Sequence, residues 1–199
     1  IRDSNNDKIS YKLQKIKKNL KFESSIKVNE NPINIEMLNY SKKEDAQIDI
    51  KGTIGNDKIF LNVFSLKEKD NLFNVSDLEF NKKNHIKRIG KIDFDYFDND
   101  SQKNSISLIR KNTKYIIKGS YFNADNFIEN IINSEDNNSS ILNIDSLFEI
   151  KIDKVAIDKN NKLSDLKGNF VFKNQNVVNA NLEGFFGENE KLKLTVNTT

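Results

Sequence analysis

The sequence predicts a mainly β fold, an antiparallel sheet over most of the chain with one short amphipathic helix near 123–133. Three observations predict it. Apolar and polar residues alternate with period two in run after run, the pattern of strands that bury one face. Clusters of Asn, Asp and Gly bound those runs, as turns require. The period changes to helical spacing at one segment only.

Residues 1–18 open with a choice: Tyr11, Leu13 and Ile16, with Leu20 beyond them, fit a basic helix and an edge strand equally well. Phe22, Ser24, Ile26 and Val28 then share one side of a strand whose other side is Lys21, Glu23, Ser25 and Lys27. After Pro32 the run 33–37 alternates again. Ile48 and Ile50 alternate with Asp49 and Lys51 up to Gly52, and 59–64 is a shorter, more apolar run. Further strands read at 72–80, 86–97, 103–110 and 113–119. The clearest is Ile92-Asp93-Phe94-Asp95-Tyr96, apolar on one side and acidic on the other. At 123–132, Phe127, Ile128, Ile131 and Ile132 take helical spacing, with Asn123 or Asp125 as the cap. A helix this short must dock on the sheet to be stable. Residues 134–140 read as a polar loop, and strands resume at 148–153, 163–173, 176–184 and 190–197.

The chain reads as one β-rich segment, 1–199, with a weak internal repeat relating 72–120 to 147–197. Leu78-Glu79-Phe80, Asn84-His85-Ile86 and the strand from Gly90 to Phe94 resemble Val155-Ala156-Ile157, Asn161-Lys162-Leu163 and the strand from Gly168 to Phe172. Gly52, Gly119, Gly168 and Gly184 each open or close an alternating run, where a bend or bulge is expected.

Composition removes several functions. The 199 residues carry 32 Lys+Arg against 29 Asp+Glu, a net charge of +3 with the signs interleaved, so no basic patch points to nucleic acid. Asn supplies about one residue in six and only three of the basic residues are Arg, a bias expected of AT-rich codon usage. With no Cys and His85 as the only histidine, Cys/His zinc sites and thiol catalysis are excluded. No apolar run approaches the roughly 20 residues of a membrane-spanning helix. The chain opens at Ile1 with no signal-peptide pattern, and reads as a piece of a longer protein whose export signal lies elsewhere.

Little catalytic chemistry remains. His85 follows Lys82-Lys83-Asn84 in a basic turn, with no carboxylate or hydroxyl fixed beside it by spacing. Asp93 and Asp95 share a strand face, and Asp98 and Asp100 follow in the turn. That loop lacks the Gly and closing Glu of a calcium loop, and neighbouring carboxylates on one strand do not flank a sugar from two sides. No Gly-rich phosphate loop is present. The expectation is a non-enzyme without cofactor or metal. What stands out is a long series of strands, each with an apolar and a charged face. Two facing sheets would close such faces into a sandwich core, whereas a single curved sheet would leave them open to a ligand. Alternation does not choose between the two.

Around the helix, Tyr115-Ile116-Ile117-Lys118-Gly119-Ser120, Asp125-Asn126-Phe127-Ile128, the strand from Leu147 to Val155, and Leu163-Ser164-Asp165-Leu166-Lys167-Gly168-Asn169-Phe170 follow in order. This order of features resembles the AsmA-like family of bacterial envelope proteins. Val177 to Gly184 and Leu192 to Val196 continue the pattern. The resemblance covers about 72–197 and is weaker over 20–64. It implies a curved antiparallel sheet forming an open groove or half-barrel, in a periplasmic segment anchored at the inner membrane through a region outside this chain. It also implies that phospholipid acyl chains are the partner, in transport towards the outer membrane. The positions matched to the groove lining are Tyr115, Ile117, Phe148, Ile150, Ile152, Phe170 and Phe172. The alternative expectation, from another class, is a structural or adhesive β-domain of a secreted surface protein with a closed core.

Overall fold

A computed structural model of the chain describes residues 7–128, 144–173, 176–187 and 190–198. Its strands are β1 (Lys8–Ile16), β2 (Asn19–Val28), β3 (Asn34–Ile35), β4 (Tyr40–Ser41), β5 (Ala46–Ile54), β6 (Lys58–Glu68), β7 (Asn71–Asn81) and β8 (Ile86–Arg88). They continue as β9 (Lys91–Phe97), β10 (Lys103–Lys111), β11 (Lys114–Asn123), β12 (Ser146–Ala156), β13 (Lys162–Lys173), β14 (Asn176–Phe186) and β15 (Glu190–Asn197). Thirteen of them form one sheet in the order β1-β2-β5-β6-β7-β9-β10-β11-β12-β13-β14-β15, with β8 paired off the path on β7. β1 and β15 end the path and do not pair, so the sheet does not close into a barrel.

The sheet follows the chain, strand after neighbouring strand, because short turns join them. Lys17, Lys69 and Asn112 take positive φ at the tips of two-residue hairpins. The expected antiparallel pairing holds with one exception. β11 and β12 run parallel, from Lys114 opposite Leu147 to Asn123 opposite Ala156. Two parallel neighbours need a crossover that carries the chain back to the starting end, and in sequence it falls between Asn123 and Ser146. Residues 125–128 within that crossover are helical, and the Ile128 N–H donates to the Ala124 carbonyl at 2.8 Å. The rest of the expected 123–133 helix, with Ile131 and Ile132, lies outside the described residues.

Two further expectations are corrected. The 33–37 run does not become a strand of the main sheet. Only Asn34–Ile35 pair, with Tyr40–Ser41, and Glu36–Leu38 form a 3-10 turn closed by Asn39 in the left-handed region. The 86–97 run is two strands rather than one, because the Gly90 N–H turns aside to the Ser76 and Asp77 carbonyls. Of the two readings of 1–18, the described residues take the strand: Lys8–Ile16 are an edge strand, β1, in unbroken register with β2.

Register places the apolar residues in rows across the sheet. Cross-strand partners share a face, and one row reads Ile26, Ile48, Leu66, Phe73, Phe94, Ile106, through Gly119 to Ile152 and Leu166. The next reads Ile50, Phe64, Val75, Ile92, Leu108, Ile117 and Ile150, through Gly168 to Leu182 and Leu194. Where the row crosses Gly168 the backbone φ is +144°, and a Cβ there would lie 2.1 Å from the Asn181 carbonyl oxygen. Only glycine fits such an approach. Register shifts at Lys51/Gly52 and at Ser105/Ile106, opposite Gly119, mark bulges, which bend and twist their strands.

Candidate functional site

The apolar face is the feature on which any site would be built. It runs from β2 to β15 without a charged interruption in the two central rows, and among the described residues no second sheet of comparable size packs on it. Three local elements cover parts of it. Residues 29–45, the excursion between β2 and β5 that holds β3, the 3-10 turn and β4, lay Ile33, Ile35, Leu38 and Tyr40 on the row of Leu66, Phe73 and Phe94. The helical start packs Ala124, Phe127 and Ile128 with Phe122, Ile106, Ile117, Ile150 and Ile152. At the other end of the strands, Ile86, Ile89 and Ile144 meet Leu78, Tyr115 and Phe148. Leu38 contributes to two of these clusters, and Asn126 Nδ2 donates to the Glu36 carbonyl at 3.0 Å, so the first two covers touch.

Under the 29–45 strap the face is filled by the protein itself. The Tyr40 ring lies 4.6 Å from Phe73 and 6.1 Å from Tyr96, and Phe73 stands 4.8 Å from Tyr96. Leu66 and Phe73 keep 1% of their surface and Tyr96 none. The strap is fastened by carboxylates at its two ends. Glu68 accepts the Tyr40 hydroxyl at 2.6 Å, the Lys43 and Glu44 N–H groups at 2.5 Å each, and Asn71 Nδ2 at 2.9 Å. Burial pushes the Glu68 carboxyl up, but these donors together outweigh it and hold it below the ordinary carboxylate range. At the other end Asp7 accepts Asn31 Nδ2 and the Asn29 N–H, both at 2.7 Å, and the Asn31 hydrogen bond leads in lowering its pKa. Burial, reinforced by Glu68, raises the pKa of the Tyr40 hydroxyl.

The seven expected lining residues stand on this one face. Tyr115 opposes Phe148, Ile117 opposes Ile150, Phe148 opposes Phe170, and Phe172 opposes Ser146. Tyr115 stacks on Phe148 at 5.0 Å and Phe148 on Phe170 at 4.8 Å, an aromatic ladder across three strands. Tyr115 and Ile152 are buried beneath the covers, whereas Ile117, Phe148, Ile150, Phe170 and Phe172 are half-buried. The Tyr115 hydroxyl is tied down by the Ile89 N–H at 3.3 Å. Past β13 no described element covers the face: Leu194 is 47% exposed and Val177 40%, Leu182 and Val196 are half-buried, and the small Ala180 is buried.

The opposite face is charged and laced with ion pairs, among them Lys91–Asp93, Lys103–Asp95, Lys114–Glu149 and Lys167–Glu183. Exposed pairs of this kind contribute little to stability. A depression of about 500 Å³ on that face is lined by Asp93, Asp95, Ser105, Ser107, Lys118 and Lys151 among others, with mixed charge and two of its carboxylates already paired. His85 sits in the turn before β8, its N–H on Asn81 Oδ1 at 3.0 Å. Asp98, in the turn after β9, is fully buried, and its carboxylate accepts the Asp100 and Gln102 N–H groups and the Asn104 and Asn123 amides. Its four donors account for its burial as a structural node. No group of three or more His, Asp or Glu among the described residues is placed to hold a metal ion. No described helix is long and apolar enough to cross a membrane.

The strap and its Glu68 anchor were not foreseen as part of this face. Lys67-Glu68-Lys69-Asp70 has the look of an exposed charged turn, and nothing in its spacing marks Glu68 as the buried member. Against protein-family models, curated proteins and solved structures alike, the chain finds no match.

Proposed function

We propose that this chain is a periplasmic lipid-binding segment of an AsmA-like phospholipid transport protein, and that acyl chains lie along the apolar face of the sheet. The observation that carries this reading is the partly exposed apolar surface beyond the covers, where Phe170, Phe172, Leu182 and Val196 are half-buried and Leu194 is exposed. Soluble proteins rarely leave such a surface without a ligand. An acyl chain laid on it gains about 0.8 kcal/mol per buried CH₂. The charged, ion-paired opposite face supports the same assignment, since it stays in water while the apolar one takes the ligand. In the groove geometry, lipid runs across the strands, and Ile117, Phe148, Ile150, Phe170 and Phe172 line its path. No step of bond making is involved, so binding and passage are the whole activity.

Native mass spectrometry of the purified chain tests the reading. Phospholipid adducts that survive desolvation, and that Phe172→Arg removes, are the expected result. Lipid-free protein after incubation with phospholipid vesicles would contradict it and favour a structural domain with a closed core.

A further inference from the structure

If acyl chains lie on this face, the region under residues 29–45 presents a difficulty. Tyr40, Phe73 and Tyr96 fill it, ring against ring, and no space is left for a ligand between strap and sheet. We propose that the strap is a gate across the face, with Tyr40 as its plug, and that it lifts as a unit to let an acyl chain pass. This rests on the acyl-chain reading above and adds its regulation.

The build of the strap suits that role. It lends no strand to the main sheet, pairing only β3 with β4. Its internal bonds, Lys42 N–H to the Ile33 carbonyl at 2.8 Å and Asn39 N–H to the Glu36 carbonyl at 2.9 Å, travel with it when it moves. The polar ties that must break are Glu68 and Asp7 at its two ends, the Lys69–Glu44 ion pair beside the first, and in its middle Tyr96 to the Leu38 carbonyl, Asn126 to the Glu36 carbonyl, Asn99 and Asp100. No rung of the thirteen-stranded sheet is lost. The apolar contacts given up by Ile35, Leu38 and Tyr40 are replaced in kind by methylene groups, so exchanging plug for lipid leaves the apolar surface of the sheet covered.

A tether tests the gate. Ser41, in the strap, accepts Asn99 Nδ2 from the β9–β10 turn at 3.2 Å, and the chain has no cysteine of its own. In the full chain carrying Ser41→Cys and Asn99→Cys, a short bismaleimide therefore pins the strap to the sheet after folding. The same protein before cross-linking is the control. A photoreactive residue replaces Phe64, beside the plug, or Leu182, on the uncovered flank, and the protein is incubated with vesicles of phosphatidylethanolamine and phosphatidylglycerol. Before tethering both positions should capture phospholipid. After tethering capture at Phe64 should be lost and capture at Leu182 retained. Undiminished capture at Phe64 in the tethered protein overturns the gate and leaves the acyl-chain reading standing. Capture at Leu182 alone, in both forms, likewise overturns the gate. Capture at neither position before tethering overturns the acyl-chain reading, and the gate with it.

Discussion

The strands beneath the strap and the strands at the C-terminal flank are written in the same alternating code but live in different surroundings. Leu66 on β6 and Leu194 on β15 each stand in an apolar row, flanked by polar neighbours in sequence, yet one is 1% exposed and the other 47%. The difference lies outside the strands. β5, β6, β7 and β9 meet a 17-residue excursion whose Ile35, Leu38 and Tyr40 cover them, and no described element does this for β14 and β15. Alternation thus specifies which face is apolar and leaves open what that face touches. In this chain the answer varies along a single sheet.

The largest expected effect sharpens that contrast directly. Phe73→Ala removes a ring held by Tyr40, Phe94 and Tyr96, and should cost about 3–5 kcal/mol in urea unfolding. Leu194→Ala should cost under about 1 kcal/mol, since little of that side chain leaves water. Equal losses would break the comparison, because the flank would then be as enclosed as the strap region.

Glu68→Ala should come next, at about 2–3 kcal/mol, because it strands the Tyr40 hydroxyl and two strap N–H groups. The same anchor predicts acid sensitivity. Folding lowers the Glu68 pKa, so its stabilisation is complete above the unfolded value of about 4.3 and is lost as the pH falls through the lower folded value. The protection of the strap amides against hydrogen exchange, relative to their intrinsic rates, should therefore fall in acid before that of β13 and β14 does. Simultaneous loss of protection throughout the sheet would show that Glu68 is not a local fastener.

Phe172→Arg, on the half-buried stretch between the two regions, should cost about 1 kcal/mol or less while abolishing lipid binding. Loss of the sheet signal in circular dichroism would instead mean that the residue sits in an enclosed core. Smallest of all are the polar positions. His85→Ala, and Asp93→Asn with Asp95→Asn, should each shift stability by no more than about 0.5 kcal/mol and leave lipid binding intact.

Most of the strands were legible in the sequence because period two survives wherever one face is apolar. Strand limits at 72–80, 103–110 and 163–173 fall within a residue or two of β7, β10 and β13. The misses share a cause. Ile33, Ile35 and Met37 alternate like a strand, but Asn39 in the left-handed region turns the chain back after one short turn, and tertiary packing of Leu38 and Tyr40 decides the rest. The parallel β11–β12 pair carries no local signal, since it depends on where a crossover delivers the chain. Lys17 and Lys69 at hairpin tips lack the glycine that usually announces such turns. For the candidate face, the shared side of Phe148 with Ile150 and of Phe170 with Phe172 was readable from alternation within β12 and β13. The burial of Tyr115 and Ile152 was not, because the covers come from 86–89, 124–128 and 144, remote in sequence from both strands.

The central claim is that acyl chains lie against one face of this sheet and not the other. Photoreactive residues placed singly at Ile150, Lys151, Val171 and Phe172 in the full-length protein, irradiated in cells, test it most directly, because neighbouring positions on one strand point to opposite faces. Phospholipid captured at Ile150 and Phe172, with Lys151 and Val171 blank, is the predicted result. Capture at all four positions alike, or at none, would contradict it.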